Sequence, residues 1–165
     1  MSAPATDNRS YYRVVYHAIL MLTVGLIAGV MLVFSLLGAV NFWPFPIWHV
    51  DIPGSTRGWQ AAHVGGILNA VMLIALATVM LKLRLFQQRL TQVSWGLIAM
   101  GWGNTVFYWA GNVSSNRGLS MADTHFGATD VAGMLAFLGG GAAMFIAFIL
   151  MYVFAGAALN LSRQS

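Results

Sequence analysis

The sequence predicts an all-α integral membrane protein, a four-helix bundle with both termini in the cytoplasm. The chain of 165 residues is 59% hydrophobic and 7% charged, with a mean hydropathy of +0.74, values far from those of soluble domains. Its apolar residues form four runs that are long enough to cross a bilayer. These runs lie at about residues 14–40, 60–81, 92–112 and 130–159.

The basic residues support this topology. An even number of spans places both termini on one side of the membrane, with the connection between the second and third spans. That side carries six basic residues and the other side two, which predicts cytoplasmic termini. The six are Arg9, Arg13, Lys82, Arg84, Arg89 and Arg163, and the two are Arg57 and Arg117. The net charge of +4 is therefore a topology signal, and we expect a lipid bilayer as partner and no nucleic acid.

The absence of cysteine limits the chemistry. With no Cys in the chain, thiolate-ligated haem, c-type haem attachment, iron–sulfur clusters, zinc thiolate sites and disulfides are excluded. Any metal must be held by His, carboxylate or Tyr.

The first span follows residues 1–12, which we expect to form a polar tail. Gly25 and Gly29 have the GxxxG spacing that brings two helices into close contact. His17, near the entrance of the span, is expected to make an interfacial hydrogen bond.

The following segment, 42–48, contains two prolines and is rich in aromatic residues, which favours a location at the lipid headgroups over a lid above a pocket.

The second span begins with a histidine at depth. An imidazolium is costly in hydrocarbon, so His63 should be neutral and should have a partner. A neutral imidazole has a lone pair that binds metals, and Gly65 and Gly66 leave room for a flat group. This pattern suggests a haem seat. The alternative is a hydrogen bond from His63 to a neighbouring helix, with the glycines serving helix packing.

Polar side chains recur every fourth residue on the third span. Asn104, Tyr108 and Asn112 form a stripe that must face protein or a cavity in a bilayer, and they either join helices or line a site. Asp130 is a predicted N-cap for the last span, where Gly139-Gly140-Gly141 indicate close approach of a neighbour or ligand.

His63 is the one histidine well inside a span, so a haem held there would have its opposite axial position open. His63 and Asn69 are six residues apart and point about 120° from each other on a helix. They cannot line one narrow pocket of their own helix, but they could flank a wide cofactor edge or reach into two adjacent pockets. This geometry hints at a site between subunits.

An ordered set of short motifs resembles the styrene oxide isomerase family, from about residue 16 to the end of span four. The set comprises Pro53-Gly54-Ser55, Gly58-Trp59, Ala62-His63, Leu68-Asn69, Gly101-Trp102-Gly103-Asn104, Phe107-Tyr108, Asn116-Arg117-Gly118-Leu119, Phe126-Gly127 and Asp130.

The resemblance implies a multi-pass enzyme of the bacterial inner membrane that binds haem b and forms a homotrimer, with haem at subunit interfaces. It implies His63 as the axial ligand, and Asn69 and Tyr108 as catalytic residues near the substrate. Arg117 is expected to pair with a haem propionate, and Gly66 and Asn104 to lie against the cofactor. The implied reaction is the Meinwald rearrangement of an aryl epoxide such as styrene oxide to an aldehyde, with ferric iron as Lewis acid and a 1,2-hydride shift.

Two other functional classes remain open at this point. A haem-bearing electron-transfer or gas-binding subunit would favour a second axial histidine, for which His17 and His125 are the candidates. A non-enzymatic transporter or scaffold would use His63, Asn104 and Tyr108 only to join helices.

Overall fold

A computed structural model of the chain describes residues 5–83, 85 and 87–164, and the side chains among these except those of residues 5–8, 87 and 88. Within this part, four long helices and one short hairpin follow each other along the chain. Residues 1–4 of the predicted tail, and Arg84 from the charge count, lie outside the described residues. The elements are α1 (Ala5–Leu37), β1 (Ala39–Val40), β2 (Trp48–His49), α2 (Thr56–Lys82), α3 (Gln87–Val113) and α4 (Val131–Ser162).

Capping side chains set the starts of two helices. The Ser55 hydroxyl accepts a hydrogen bond from the Gly58 N–H at 3.0 Å and begins α2. The Asp130 carboxylate accepts from the Gly133 N–H at 2.6 Å and begins α4, which confirms the predicted N-cap. The expected tail is wrong for residues 5–12, which belong to α1. No Gly or Pro separates these residues from the apolar run, so the helix continues through them.

Three of the four helices are long and apolar enough to cross a membrane. They are α1 from Arg9 onward, α2 and α4. Helix α3 does not reach the same hydropathy, although four apolar spans were expected. Its polar stripe and its weakly hydrophobic glycines lower the average.

Glycines hold the helices in close contact. A Cβ at Gly66 of α2 would lie 2.6 Å from the Gly25 Cα of α1, so the two backbones touch. In the same way a Cβ at Gly103 of α3 would lie 2.7 Å from the Gly139 carbonyl oxygen of α4. Both the GxxxG contact and the close approach at the glycine triplet are therefore confirmed. The core formed by the same helices includes the fully buried Met21, Leu73, Met80, Leu97 and Met100.

A hairpin follows α1 where the sequence predicted only a loop. Ala39 pairs with His49 and Val40 with Trp48, and the connection contains a cis Trp43–Pro44 bond. Trp43 is 91% exposed, and Phe42, Phe45 and Trp48 are exposed as well. None of these side chains lines the cavity near Tyr108 described below. This arrangement favours the headgroup location over the lid.

Candidate functional site

His63 rests against α1. Its Nδ1 lies 2.9 Å from the Gly25 carbonyl oxygen, and because a carbonyl can only accept, Nδ1 carries the proton and donates. The ring covers Gly29, where a Cβ would lie 2.6 Å from Nδ1 and 2.7 Å from Cε1. The hydrogen bond to a neighbouring helix is therefore present. It leaves the Nε2 lone pair of the neutral ring free to bind a metal.

Asn69 faces α3 and is only partly satisfied. Asn104 Nδ2 donates to Asn69 Oδ1 at 3.3 Å, so these amides join α2 and α3. Asn69 is 6% exposed, and its Nδ2 has no acceptor in the described part of the chain. A buried amide donor without an acceptor costs about 1–3 kcal/mol, so such a group is a candidate for binding a ligand.

Tyr108 occupies the space that Gly65 leaves open. A Cβ at Gly65 would lie 2.7 Å from Tyr108 Cζ, so no larger residue fits below the ring. Tyr108 packs against a small buried apolar cluster of Ala28, Trp59 and Ala62, as does Trp109. The Tyr108 hydroxyl makes no hydrogen bond to the described part of the chain, and is therefore free for a ligand.

Asn112 ties the end of α3 to the start of α2. Its Oδ1 accepts from the Ser55 N–H at 2.8 Å and from the Ser55 hydroxyl at 3.2 Å, and its side chain lies directly over Gly58. With Asn104 and Tyr108, it confirms that the polar stripe of α3 faces protein. Its Nδ2 is buried and finds no acceptor among the described residues.

Arg117 lies in the α3–α4 loop on a rigid support. Its neighbour Asn116 is fully buried, accepts from the Ser114 hydroxyl and the Gly118 N–H, and donates to the Ser120 carbonyl. Arg117 has a φ of 61°, which L residues other than glycine rarely adopt. Its guanidinium carbon lies 5.4 Å from the centre of the Phe126 ring. The loop thus holds Arg117 in an unusual backbone conformation and an exposed position.

Asp130 anchors the other end of this loop. Besides capping α4, it accepts from the Ser115 N–H at 3.1 Å. The backbone N–H of Gly133, then that of Ser115, and then the Ser114 hydroxyl stabilise the carboxylate and lower the pKa of Asp130, while desolvation opposes them.

A cavity of about 470 Å³ lies between the start of α2, the end of α3 and the α3–α4 loop. Tyr108 and Asn112 line it from α3, Arg57 from α2 and Arg117 from the loop. It has room for a small organic molecule or for one edge of a larger one.

The family model for styrene oxide isomerase matches residues 11–159, which include all of α2 and α3 and all but the first six residues of α1 and the last three of α4. The chain belongs to the styrene oxide isomerase family. A styrene-oxide isomerase of Pseudomonas fluorescens is 38% identical over 120 residues, which are 73% of this chain and 71% of that protein. The resemblance stated from the motifs is confirmed.

Within this member of the styrene oxide isomerase family, the predicted site residues form two groups. Tyr108 and Arg117 both line the cavity. Asn69 and Asn104 are hydrogen-bonded to each other where α2 contacts α3. His63 lies against α1 and does not line the cavity. His63 and Asn69 therefore contact different helices, α1 and α3, and their angular separation on α2 accounts for this.

The structure corrects the prediction that Gly66 lies against a cofactor. The expectation of a surface open to a cofactor is wrong, because Gly66 is buried and its Cα faces the Gly25 backbone of α1. The space beside Gly65 is likewise filled, in this case by the Tyr108 ring. The glycine pair serves packing within this chain, which was the alternative interpretation of the sequence.

Two residues that contribute to the site were not assigned to it from the sequence. Gly29 supports the His63 ring, and Arg57 lines the cavity opposite the loop that carries Arg117. A signal for Arg57 was present in the charge count, because Arg57 and Arg117 are the two basic residues assigned to the non-cytoplasmic side.

Proposed function

We propose that this protein converts aryl epoxides such as styrene oxide to aldehydes, in that case phenylacetaldehyde, by a Meinwald rearrangement with haem b held by His63. Family membership over residues 11–159 supports the reaction. The observation that carries the assignment of the cofactor is the hydrogen bond from His63 Nδ1 to the Gly25 carbonyl.

The described residues fit a haem. An imidazole that donates from Nδ1 to a carbonyl is oriented, and its Nε2 is made more basic, as is usual for metal-bound histidines. Arg117 is exposed and has no carboxylate partner in the described part of the chain, so it is available to a propionate. When bound, ferric haem supplies a Lewis acid that polarises the epoxide C–O bond.

The chain's own polar groups act on the oxygen. As the benzylic C–O bond breaks, hydride moves from the terminal carbon to the benzylic carbon, and the oxygen remains on the terminal carbon as the aldehyde. Every atom of the substrate is kept, so no net redox change occurs. The Tyr108 hydroxyl and Asn69 Nδ2, which have no partner among the described residues, are suited to donate hydrogen bonds to this oxygen while it carries negative charge, each contributing about 2–4 kcal/mol.

Water must be excluded, because a benzylic cation would be captured as a diol. The apolar cluster of Ala28, Trp59 and Ala62, against which Tyr108 and Trp109 pack, supplies surface that water does not wet. The chain therefore protects the rearrangement by its apolar surroundings.

We further propose a homotrimer in the bacterial inner membrane, with haem at the subunit interfaces. His63 of α2 contacts α1, whereas Asn69 of α2 and Tyr108 of α3 lie at the contact between α2 and α3, so a second copy of the chain would bring both groups to one ligand. Helix α3 is proposed as the fourth span, with both termini cytoplasmic, because its polar stripe is turned toward α2 and away from lipid.

The hydrogen bonding of His17 argues against the electron-transfer alternative. Trp102 Nε1 donates to His17 Nδ1 at 3.1 Å, so His17 makes a hydrogen bond, in this case to α3, and its Nδ1 lone pair is occupied. His17 Nε2 therefore carries the proton in the neutral ring. Axial ligation by His17 would require the other tautomer and the loss of this hydrogen bond.

The test uses the detergent-purified protein, its absorption spectrum and chromatographic detection of phenylacetaldehyde from styrene oxide. His63→Ala should abolish the Soret band and aldehyde formation, and the matched variant His49→Ala, at an exposed position in β2, should keep both. Undiminished isomerisation by His63→Ala would refute the proposed mechanism. A colourless parent protein would favour the scaffold reading, and a low-spin bis-histidine spectrum would favour electron transfer.

A further inference from the structure

We propose that Arg57 is a second carboxylate-binding residue, which together with Arg117 holds the two propionates of the haem. The inference rests on the proposed function and extends it to a residue that the sequence did not assign to the site. Its basis is a cavity lined by two arginines, neither of which is paired with a carboxylate of the described residues.

The two arginines reach the cavity from different elements. Arg57 lies in the first turn of α2, and Arg117 in the α3–α4 loop. Both are exposed, and neither forms an ion pair in the described part of the chain. Two guanidinium groups at one cavity repel each other, and a dianionic ligand would turn this repulsion into attraction.

Each arginine has a rigid support, as a binding site requires. The start of α2 is fastened to Asn112 through Ser55, and the Arg117 loop is fastened by the buried Asn116. The first turn of α2 also contributes the positive end of a helix dipole, which favours an anion. Mobile surface arginines would gain less from a ligand, because they would lose more conformational entropy on binding.

The position of Arg57 on α2 agrees with one ligand reaching both residues. Arg57 precedes His63 by six residues, a rise of about 9 Å along the helix and a rotation of about 120°, so only a ligand broad enough to extend both along and around α2 reaches both side chains. Haem carries its carboxylates on one edge, away from the iron. A ligand attached at His63 and extending toward the start of α2 would bring that edge to the two arginines.

The experiment measures haem release from the purified holoprotein to an excess of a haem-acceptor apoprotein, followed at the Soret band. Arg57→Gln should speed release about tenfold, the loss expected for one charge-assisted hydrogen bond. Arg57→Lys should restore part of the retention. Arg163→Gln, which removes the same charge beyond the end of α4, should release haem at the parent rate.

Reconstitution with haem dimethyl ester, which lacks free carboxylates, identifies the group involved. With this ester, the parent and Arg57→Gln should release at equal rates. Equal rates with natural haem, or a difference that persists with the ester, would overturn the proposal for Arg57 while leaving His63 as the ligand. A parent protein that contains no haem would instead overturn the proposed cofactor, and this inference with it.

Discussion

The His63 imidazole lies directly over Gly29 of α1, with no room for a methyl group between them. One turn earlier on α1, Gly25 offers its carbonyl oxygen to Nδ1 of the same ring. The two glycines of the GxxxG motif thus have separate roles, one as a platform and the other as a hydrogen-bond acceptor. Helix α1 thereby orients a side chain that belongs to α2.

Gly29→Ala should displace the His63 ring. The new Cβ would lie 2.6 Å from Nδ1, so the ring must rotate or α1 must move away. We expect a loss of haem occupancy and at least a tenfold drop in aldehyde formation, measured by the Soret absorbance per protein and by chromatography. Gly141→Ala, where a Cβ meets nothing within 4 Å, is the control and should resemble the parent. Full haem occupancy in Gly29→Ala would show that the orientation of the ring does not matter.

Tyr108→Phe should lower the rate without unfolding the protein. The ring that fills the space over Gly65 is retained, and only the hydroxyl is lost. We expect a fall of about 10²–10³-fold in kcat, as for the removal of one donor to a developing oxyanion. The melting temperature and the Soret band should remain those of the parent. A kcat within twofold of the parent would remove Tyr108 from the proposed chemistry.

Gly66→Ala should destabilise the contact between α1 and α2. Its Cβ would lie 2.6 Å from the Gly25 Cα, and neither backbone can yield without separating the helices. We expect a cost of about 1–3 kcal/mol, read as a lower melting temperature in detergent both with and without haem. Gly156→Ala, at an open position on α4, serves as the control. An effect confined to the haem-loaded protein would restore Gly66 to the cofactor site.

Acid should weaken the start of α4 through Asp130. Its pKa is lowered in the folded protein, mainly by the Gly133 N–H, so the folded state binds the proton less readily than the unfolded state. The stabilisation is therefore complete above the ordinary value of 3.8 and is lost as the pH falls through the lowered pKa.

This pH dependence is measurable as the melting temperature between neutral pH and the acid range. Asp130→Asn should flatten the acid limb of the curve, because the amide does not titrate. Asp51→Asn, which changes an exposed carboxyl outside the helices, should leave the curve of the parent. Identical acid limbs in the parent and in Asp130→Asn would contradict the assignment.

His17→Phe should leave the haem spectrum unchanged. His17 is engaged with Trp102 and takes no part in the proposed site, so its loss should affect only the packing of α1 against α3. We expect the same Soret position and a slightly lower melting temperature. A shift from a low-spin to a high-spin spectrum in this variant would identify His17 as an axial ligand.

The helical class, the Asp130 cap and the faces of the helices that carry polar groups could all be predicted from the amino-acid sequence. These features are local: a cap depends on residues three apart, and the stripe of Asn104, Tyr108 and Asn112 depends on a period of about four. Short motifs in order were also enough to predict the family. None of these inferences required the relative height of two helices.

Which atoms come into contact is visible only in the packed helices. Three contacts depend on the rotation and height of helices that are far apart in sequence. Gly25 accepts a hydrogen bond from His63, and Gly66 packs against Gly25 while Tyr108 fills the space at Gly65. Arg57 shares a cavity with Arg117. Hydropathy does not encode these quantities, because every face of an apolar helix satisfies a lipid equally well. Contacts between backbones at glycines, and a few hydrogen bonds, select one arrangement, and they become visible only when the helices are together.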